Sequence, residues 1–242
     1  MELAGALQRH LEAFTRLSEQ DRALLDALVR NNIRQAGARR DLIREGERPR
    51  GVIVIVEGWA SCYKQLPDGR RQIVSFLVPG DLGDANVFIL REMDHSIGAI
   101  TDLVYAEIPP AEFEAAMAQS PQIARAIWWH ELVTASIHRE WTTNVGQRTA
   151  YERIAHLLCE VVVKLEADGL AAEGSCFLPL TQSDLAEATG LTSVHVNRTL
   201  QELRRDGLIS LQSRRLTIPD FASLARAGGF NRAYLHLERE AA

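Results

Sequence analysis

The feature that most constrains the fold is a block of short β-branched runs between two helical blocks. From residue 33 to 108, runs such as 52–56 and 72–78 are separated by turns that contain glycine and proline, including the Pro-Asp-Gly of 67–69. Proline fixes φ at the first central position of a turn, and glycine tolerates positive φ. Many short strands at close, even spacing predict a sandwich or small barrel rather than a parallel sheet of βαβ units.

The blocks on both sides of these strands have helical periodicity. Residues 110–145 keep that period with one break at Pro121, and a 4-3 spacing of a coiled-coil seam begins at position 123. Two interpretations stay open: the seam packs against the β block, or it pairs with a second copy in a symmetric dimer. The residues predicted for a dimer interface are Ile123, Ile127, His130, Thr134, Ile137 and Trp141.

Composition and charge exclude several kinds of protein. The 242 residues include 27 Lys and Arg against 32 Asp and Glu, a net charge of −5, so nucleic-acid binding requires a local basic face. The three cysteines stand far apart without a CxxC pair, which argues against a disulfide framework, a zinc ribbon and a cysteine-held iron–sulfur cluster. No metal site is predicted.

The absence of other signals leads to three further expectations. The N-terminus has no signal-peptide pattern, and no apolar run is long enough to cross a bilayer, so we expect a cytoplasmic protein without a membrane partner. No HExxH, P-loop or Ser/His/Asp arrangement is visible, so we expect no enzymatic activity.

The most informative stretch is 180–200, which has the pattern of a helix-turn-helix. Thr181 and Asp184 form a capping-box variant, Gly190 supplies the turn and Thr192 caps a second helix. Small, polar and cationic groups at the start of that helix suit base edges and phosphates, and residues 207–218 predict a basic hairpin. The predicted DNA contacts are Thr181, Gln182, Thr192, Ser193, Val194, His195, Asn197, Arg198, Arg214 and Arg215.

These motifs together resemble the Crp/Fnr superfamily of bacterial transcription regulators over nearly the whole chain. The matching motifs are Arg44-Glu45-Gly46, Val56-Glu57-Gly58, Pro67-Asp68-Gly69-Arg70, residues 76–83, Arg153-Ile154-Ala155 and the helix-turn-helix. The resemblance implies an α+β fold: a cyclic-nucleotide-binding-like β-roll (jelly-roll) sensor domain, a long dimerisation helix and a winged helix-turn-helix. The implied boundaries are 1–120, 121–146, 147–221 and a C-terminal extension at 222–242.

The resemblance also implies a function and partners. We expect a homodimer that binds a two-fold operator in double-stranded DNA and also contacts RNA polymerase. The resemblance places an effector pocket between the β-roll and the long helix. The residues predicted for that pocket are Gly80, Leu82, Gly83, Asp84, His95, Ser96, His138 and Arg139.

Three departures from the family pattern bear on the effector and on the DNA half-site. The family's ribose-binding Glu segment reads Gly-Asp-Ala-Asn at 83–86, and its phosphate-binding Arg-Ser pair reads His95-Ser96, so cyclic AMP is not expected. Residues 1–61 contain no cysteine, so the oxygen-sensing cluster of the Fnr branch is not expected either. Val194 replaces a Glu that contacts cytosine, so the half-site should differ at that base pair.

The identity of the effector therefore stays open. The main interpretation is a regulator whose sensor domain binds an effector other than cyclic AMP, or none. One alternative is a haem- or other small-ligand-dependent regulator of the same family. Another is a regulatory nucleotide-binding module without DNA function, against which the wing and the helix-turn-helix argue.

Overall fold

The β-branched runs form two antiparallel four-stranded sheets in a computed structural model that describes residues 4–85, 89 and 91–237. The strands are β1 (Ile33–Ala36), β2 (Asp41–Ile43), β3 (Val52–Glu57), β4 (Ala60–Gln65), β5 (Arg71–Leu77), β6 (Leu82–Gly83), β7 (Ser96–Ala99) and β8 (Leu103–Ile108). One sheet has the order β1-β8-β3-β6 and the other β2-β7-β4-β5. The predicted β-roll is therefore confirmed.

Helices flank the β-roll at both ends of the chain. They are α1 (Gly5–Glu12), α2 (Glu19–Asn31), α3 (Pro110–Gln119), α4 (Pro121–Gln147), α5 (Ala150–Ala167), α6 (Gln182–Thr189), α7 (Ser193–Arg205), α8 (Phe221–Gly228) and a 3-10 helix (Arg232–Leu235). The long helix α4 begins at the predicted proline, where Ser120 Oγ accepts the Ile123 N–H at 3.1 Å. None of the helices in the described ranges is long and apolar enough to cross a bilayer.

A third, small sheet belongs to the C-terminal domain. Its strands are β9 (Ser175–Phe177), β10 (Ser210–Gln212) and β11 (Arg215–Thr217), in the order β10-β11-β9. The hairpin of β10 and β11 is the predicted one. Strand β9 was not predicted, because three residues are too few to establish a period of two.

Two hydrophobic cores hold the chain together. The first fills the β-roll and includes side chains of α1, α2 and the start of α4. The second crosses from the β-roll to the C-terminal domain: Trp59 and Phe76 of the β-roll belong to the same buried cluster as Leu158 of α5 and Leu185 of α6. The C-terminal domain is therefore packed against the β-roll rather than joined to it only through α4.

Most of the predicted seam of α4 packs on its own chain. Its buried members are Ile123, Ile127, His130 and Trp141. Ile137 packs against the second core, and Thr134 lines a cavity described below. The four buried side chains are covered by their own chain, and the three apolar ones contribute to its cores. The dimer interface predicted for the seam stays a prediction.

A different stripe of α4 is exposed. Trp128 is 67% exposed and Leu132 is 65% exposed, both high values for large apolar side chains. Arg125, Ala135 and Arg139 are exposed on the same helix, and the five positions follow 3-4-3-4 spacing. We call these five residues the outer stripe. It has the period of a helix–helix contact without an intramolecular partner helix.

The C-terminal extension packs tightly against α5. Gly228 lies so close to it that a β-carbon there would be 2.5 Å from the backbone nitrogen of His156. Further along, the Tyr234 hydroxyl donates to Glu160 Oε2 at 2.6 Å. The segment from 222 to 237, the described part of the C-terminal extension, therefore forms part of the packed structure.

Candidate nucleic-acid interface and ligand cavity

Helices α6 and α7 form the predicted helix-turn-helix. The Asp184 N–H donates to Thr181 Oγ1 at 3.2 Å, and the Thr181 N–H donates to the Asp184 carboxylate at 2.8 Å, which completes a capping box. Gly190 has a φ of 66°, a left-handed conformation that ends α6. Thr192 Oγ1 then accepts the His195 N–H at 3.2 Å at the start of α7. Local sequence signals thus determine both helix starts and the turn between them.

The outer face of α7 carries the side chains predicted to read bases. The exposed or half-exposed ones are Ser193, Val194, His195, Asn197 and Arg198. Val194 is 82% exposed, and the Arg198 guanidinium lies 2.9 Å from His195 Nε2. The inner face is buried and consists of Val196, Thr199, Leu200 and Leu203. One face of α7 is therefore fixed in the core, while the other is available to a DNA groove.

The hairpin of β10 and β11 forms a basic wing. Its turn residues Ser213 and Arg214 have φ values of 48° and 61°, the arrangement of a type I′ turn. Serine and arginine rarely adopt this conformation, so the turn is strained. Arg214 and Arg215 are both exposed, and Arg215 donates to Ser175 Oγ at 3.1 Å. The wing thus presents two guanidinium groups that suit phosphates.

Two ion pairs hold α6 against the β-roll. Arg39 is bidentate on Asp184, with Nη1 to Oδ1 at 2.6 Å and Nη2 to Oδ2 at 3.0 Å. Arg71 Nε lies 2.5 Å from Glu187 Oε2. Burial alone would raise the pKa of Asp184, but hydrogen bonds from Arg39 and Thr181 outweigh it and hold that pKa below its usual range. We call the first pair the Arg39–Asp184 clasp.

The predicted contacts Thr181 and Gln182 lie at the start of α6, beside the β-roll. The Thr181 hydroxyl donates to Asp184 at 2.7 Å, and Gln182 is exposed. Thr181 and Arg214 also line a cleft of about 600 Å³ between the β-roll and the C-terminal domain. The sequence placed these residues correctly in the helix-turn-helix, but it gave no sign of the β-roll next to them.

A cavity of about 810 Å³ lies between the strands β4 and β5 and the helices α4 and α5. Its large apolar lining residues include Trp59, Ile73, Phe76, Ile137, Trp141 and Val161. Four of the predicted effector-pocket residues line it, namely Leu82, Asp84, His95 and His138. The prediction included none of the lining residues that come from α5, which belongs to the C-terminal domain.

The other predicted pocket residues, Gly80, Gly83, Ser96 and Arg139, are not among the described residues that line this cavity. Gly80 packs on α1, where a β-carbon would be 2.7 Å from the Ala6 carbonyl oxygen. At Gly83, a β-carbon would be 2.9 Å from the side chain of Ile97 in the β-roll core. Ser96 Oγ accepts the Glu45 N–H at 3.0 Å, and Arg139 belongs to the outer stripe. The two glycines have no side chain to contribute to the cavity, the Ser96 hydroxyl is engaged with the Glu45 backbone, and Arg139 is exposed on α4.

The polar groups of the cavity are mostly paired within the chain. Lys164 Nζ lies 2.6 Å from Asp81 Oδ2. Glu160 accepts the Trp141 Nε1–H at 2.7 Å, and burial raises the pKa of its carboxyl despite this bond and the one from Tyr234. Burial also lowers the pKa of His138. The cavity therefore offers a bound molecule mainly apolar surface.

A cyclic nucleotide does not fit this cavity. No arginine is among its described lining residues, and its two lysines, Lys64 and Lys164, are already paired with the carboxylates of Glu45 and Asp81. Asp84 and Asp94 add negative charge to the wall, which would repel a phosphate. Asn86, which stands in the family's ribose-binding segment, lies outside the described residues.

An iron–sulfur cluster does not fit the chain either. Cys62 lies in the β-roll, whereas Cys159 and Cys176 lie in the second core. Burial raises the pKa of Cys62 and Cys159 to about 12 and that of Cys176 to about 11. A cluster needs several converging thiolates, and these thiols neither converge nor ionise at neutral pH.

Comparisons with known proteins agree with this architecture. A model of the cyclic nucleotide-binding domain matches residues 33–120, and a model of the Crp-like helix-turn-helix domain matches residues 152–227. The transcriptional activator protein FnrL of Cereibacter sphaeroides is 30% identical over 91% of this chain and 89% of its own length. The nitrogen fixation regulation protein FixK of Bradyrhizobium diazoefficiens is 34% identical over 65% of each chain. The solved structure of FixK2 from Bradyrhizobium japonicum is 26% identical, with a TM-score of 0.72 over 81% of this chain and 96% of that one.

Proposed function

This chain belongs to the Crp/Fnr family of DNA-binding transcription regulators, and we propose that it acts as a homodimer on a two-fold DNA operator. Helix α7 enters the major groove of each half-site, and the wing contacts the flanking phosphates. The observation that carries this proposal is the outer face of α7. Its polar and cationic side chains are exposed or half exposed on a helix whose opposite face is buried in the core.

Two residues of α7 determine which bases are read in this proposal. Arg198 is one helical turn beyond Val194, so both face the same groove. The Arg198 guanidinium suits the O6 and N7 acceptors of guanine. Val194 cannot accept a hydrogen bond from cytosine, but its methyl groups can contact the methyl group of thymine. Arg214 and Arg215 of the wing add affinity without sequence preference.

The outer stripe of α4 is the proposed dimer contact. Burying Trp128 and Leu132 against the same residues of a second copy removes two large apolar side chains from water. Ala135 is small enough to allow close approach of the two helices. The 3-4 spacing of the stripe matches the seam of a two-stranded coiled coil.

The cavity is the proposed sensor site. Its aromatic and aliphatic lining favours a small, mainly apolar effector. Because residues of both α4 and α5 line the cavity, binding or release of the effector would change the surroundings of both helices. His138 lines the same cavity, so absorption spectra of the purified protein test haem as the effector. Since FnrL is named a transcriptional activator, we propose RNA polymerase as a further partner at the promoter.

Selection from random DNA followed by fluorescence anisotropy tests the DNA-reading role. Arg198→Ala should weaken binding to the selected site by about 5- to 150-fold, because a bidentate base contact is worth about 1–3 kcal/mol. Arg30→Ala removes an exposed arginine of α2, far from the helix-turn-helix in the chain, and is the matched control. Equal affinity of wild type and Arg198→Ala for the selected site would contradict the proposed role of α7.

A further inference from the structure

A buried group of ionisable side chains lies where α1, the β-roll, α4 and α5 meet. Its members are His10 of α1, Asp81 before β6, His130 of α4, Lys164 of α5 and Asp168, the C-cap of α5. His10, Asp81, His130 and Asp168 are all less than a tenth exposed. The proposed DNA-binding function gives no role to His10 or Asp168.

Three of these side chains direct ligand atoms toward one another. His10 Nδ1 lies 3.2 Å from Asp168 Oδ1 and 3.8 Å from Asp81 Oδ1. Ligand atoms of all three residues lie within 4.8 Å of one another. A tetrahedral ion with metal–ligand bonds of about 2.1 Å holds its ligands about 3.4 Å apart. The distances from His10 Nδ1 to the two carboxylate oxygens, 3.2 and 3.8 Å, lie on either side of that value.

A proton on His10 does not satisfy this group. The single hydrogen on Nδ1 is directed to Asp168 Oδ1. Asp81 Oδ1 and Asp168 Oδ2 are buried without a hydrogen-bond partner among the described residues. Buried carboxylate oxygens without partners are costly, and most buried polar atoms in folded proteins are paired. A cation bound by all three side chains would pair the Asp81 oxygen that the proton leaves unpaired.

The neighbouring side chains orient the group for such a cation. His10 Nε2 lies 2.9 Å from His130 Nδ1, and when His10 donates there, its Nδ1 lone pair points to the carboxylates. Lys164 holds Oδ2 of Asp81 and leaves Oδ1 for a metal. Outer partners that fix the tautomer and the carboxylate rotamer are typical of metal sites. A small cavity of about 40 Å³ beside the group has room for a water molecule as a further ligand.

We propose that His10, Asp81 and Asp168 bind a divalent first-row transition-metal ion such as Zn²⁺. One imidazole nitrogen and two carboxylate oxygens suit such ions, which accept mixed nitrogen and oxygen ligands. The ion would join α1 and the β-roll to the C-terminal end of α5, which belongs to the DNA-binding domain. Metal binding therefore stabilises this arrangement of the two domains relative to any arrangement that separates the three ligands.

Metal titration of the purified full-length protein, freed of metal with a chelator, tests the proposal. We expect one Zn²⁺ per chain by calorimetry and the intense visible absorption of tetrahedral Co²⁺ when that ion replaces it. Asp168→Asn and His10→Gln preserve side-chain size and should weaken Zn²⁺ binding by at least about 100-fold. Loss of a residue that only hydrogen-bonds to a metal ligand weakens metal binding less, by about 10- to 100-fold. Zn²⁺ should raise the unfolding temperature of the wild type but not of these variants.

The chain provides a control at a second place where metal-ligating groups meet. Asp84, Asp94 and His95 also come together beside the large cavity, so His95→Gln tests whether binding occurs there instead. We expect this variant to bind Zn²⁺ as the wild type does. Loss of binding in His95→Gln with retention in Asp168→Asn would overturn the assignment.

X-ray absorption of the Zn²⁺-loaded wild type gives a result that does not depend on any variant folding. The expected spectrum shows a nitrogen and oxygen shell with one imidazole and no sulfur. Sulfur ligands, several imidazoles or the absence of stoichiometric binding would each overturn the proposal. None of these measurements involves DNA, so their failure is distinct from a failure of the proposed DNA-binding function.

Discussion

Removal of the Arg39–Asp184 clasp is predicted to weaken the contact between the β-roll and α6. Asp184 is 1% exposed, whereas Arg39 is 49% exposed. Protected charge-assisted hydrogen bonds contribute about 1.5–3 kcal/mol, and fully exposed ion pairs contribute about 0–1 kcal/mol. Since one partner is buried and the other is half exposed, we expect a coupling free energy of about 1–2 kcal/mol between the two side chains.

A double-mutant cycle with Arg39→Ala and Asp184→Asn measures this coupling. Urea unfolding followed by tryptophan fluorescence is suitable, because Trp59 and Trp141 lie in the second core. The cycle cancels the separate contribution of Asp184 to the capping box of α6. The exposed Arg30–Asp26 pair of α2 is the control, with an expected coupling of about 0.3–0.5 kcal/mol. A clasp coupling no larger than that of the control would refute the reasoning.

The clasp also predicts a pH dependence. The pKa of Asp184 is held below its usual range in the folded protein. The contribution of Asp184 to the free energy of unfolding is therefore complete above the pKa of an aspartate in the unfolded chain, about 3.9. It is lost as the pH falls toward the lower pKa of Asp184 in the folded protein. The stability difference between wild type and Arg39→Ala should shrink below about pH 4. A difference that stays constant from neutral to acidic pH would contradict this account.

Three further predictions concern the packing of the chain. Gly228→Ala should destabilise the protein by about 1–3 kcal/mol in thermal unfolding, because its β-carbon would lie 2.5 Å from the α5 backbone. Gly146→Ala is the control and should not destabilise the protein, because no atom lies within 4 Å of its β-carbon. Leu132→Asp should convert the dimer to a monomer in light scattering, and an unchanged dimer would exclude the outer stripe as the contact. Tyr234→Phe should cost about 1–3 kcal/mol by leaving Glu160 without one donor, and an unchanged unfolding temperature would contradict that.

The helix-turn-helix could be predicted because its signals are local. Thr181 and Thr192 cap helices through residues three positions away, and Gly190 ends α6 through its own backbone conformation. The β-roll could be predicted for a similar reason, since short β-branched runs and turn residues alternate along the chain. Both features depend on contacts between residues that are close together in the sequence.

The contacts that could not be predicted join distant segments. Both stripes of α4 have the same 3-4 spacing and both contain large apolar side chains, such as Ile127 and Trp128, so periodicity could not show which stripe the β-roll covers. The Arg39–Asp184 clasp and the group around His10 depend on how the two domains pack. No local pattern marks an exposed arginine or a lone histidine as part of such a group.

The most direct test of the central claim is the DNA sequence that α7 selects. Random-site selection with wild type should give a two-fold motif, and Val194→Glu should shift one position of each half-site toward a C·G pair, because a carboxylate accepts a hydrogen bond from cytosine. Arg30→Ala should leave the motif unchanged. Identical motifs from wild type and Val194→Glu would show that this face of α7 does not read the bases and would contradict the account.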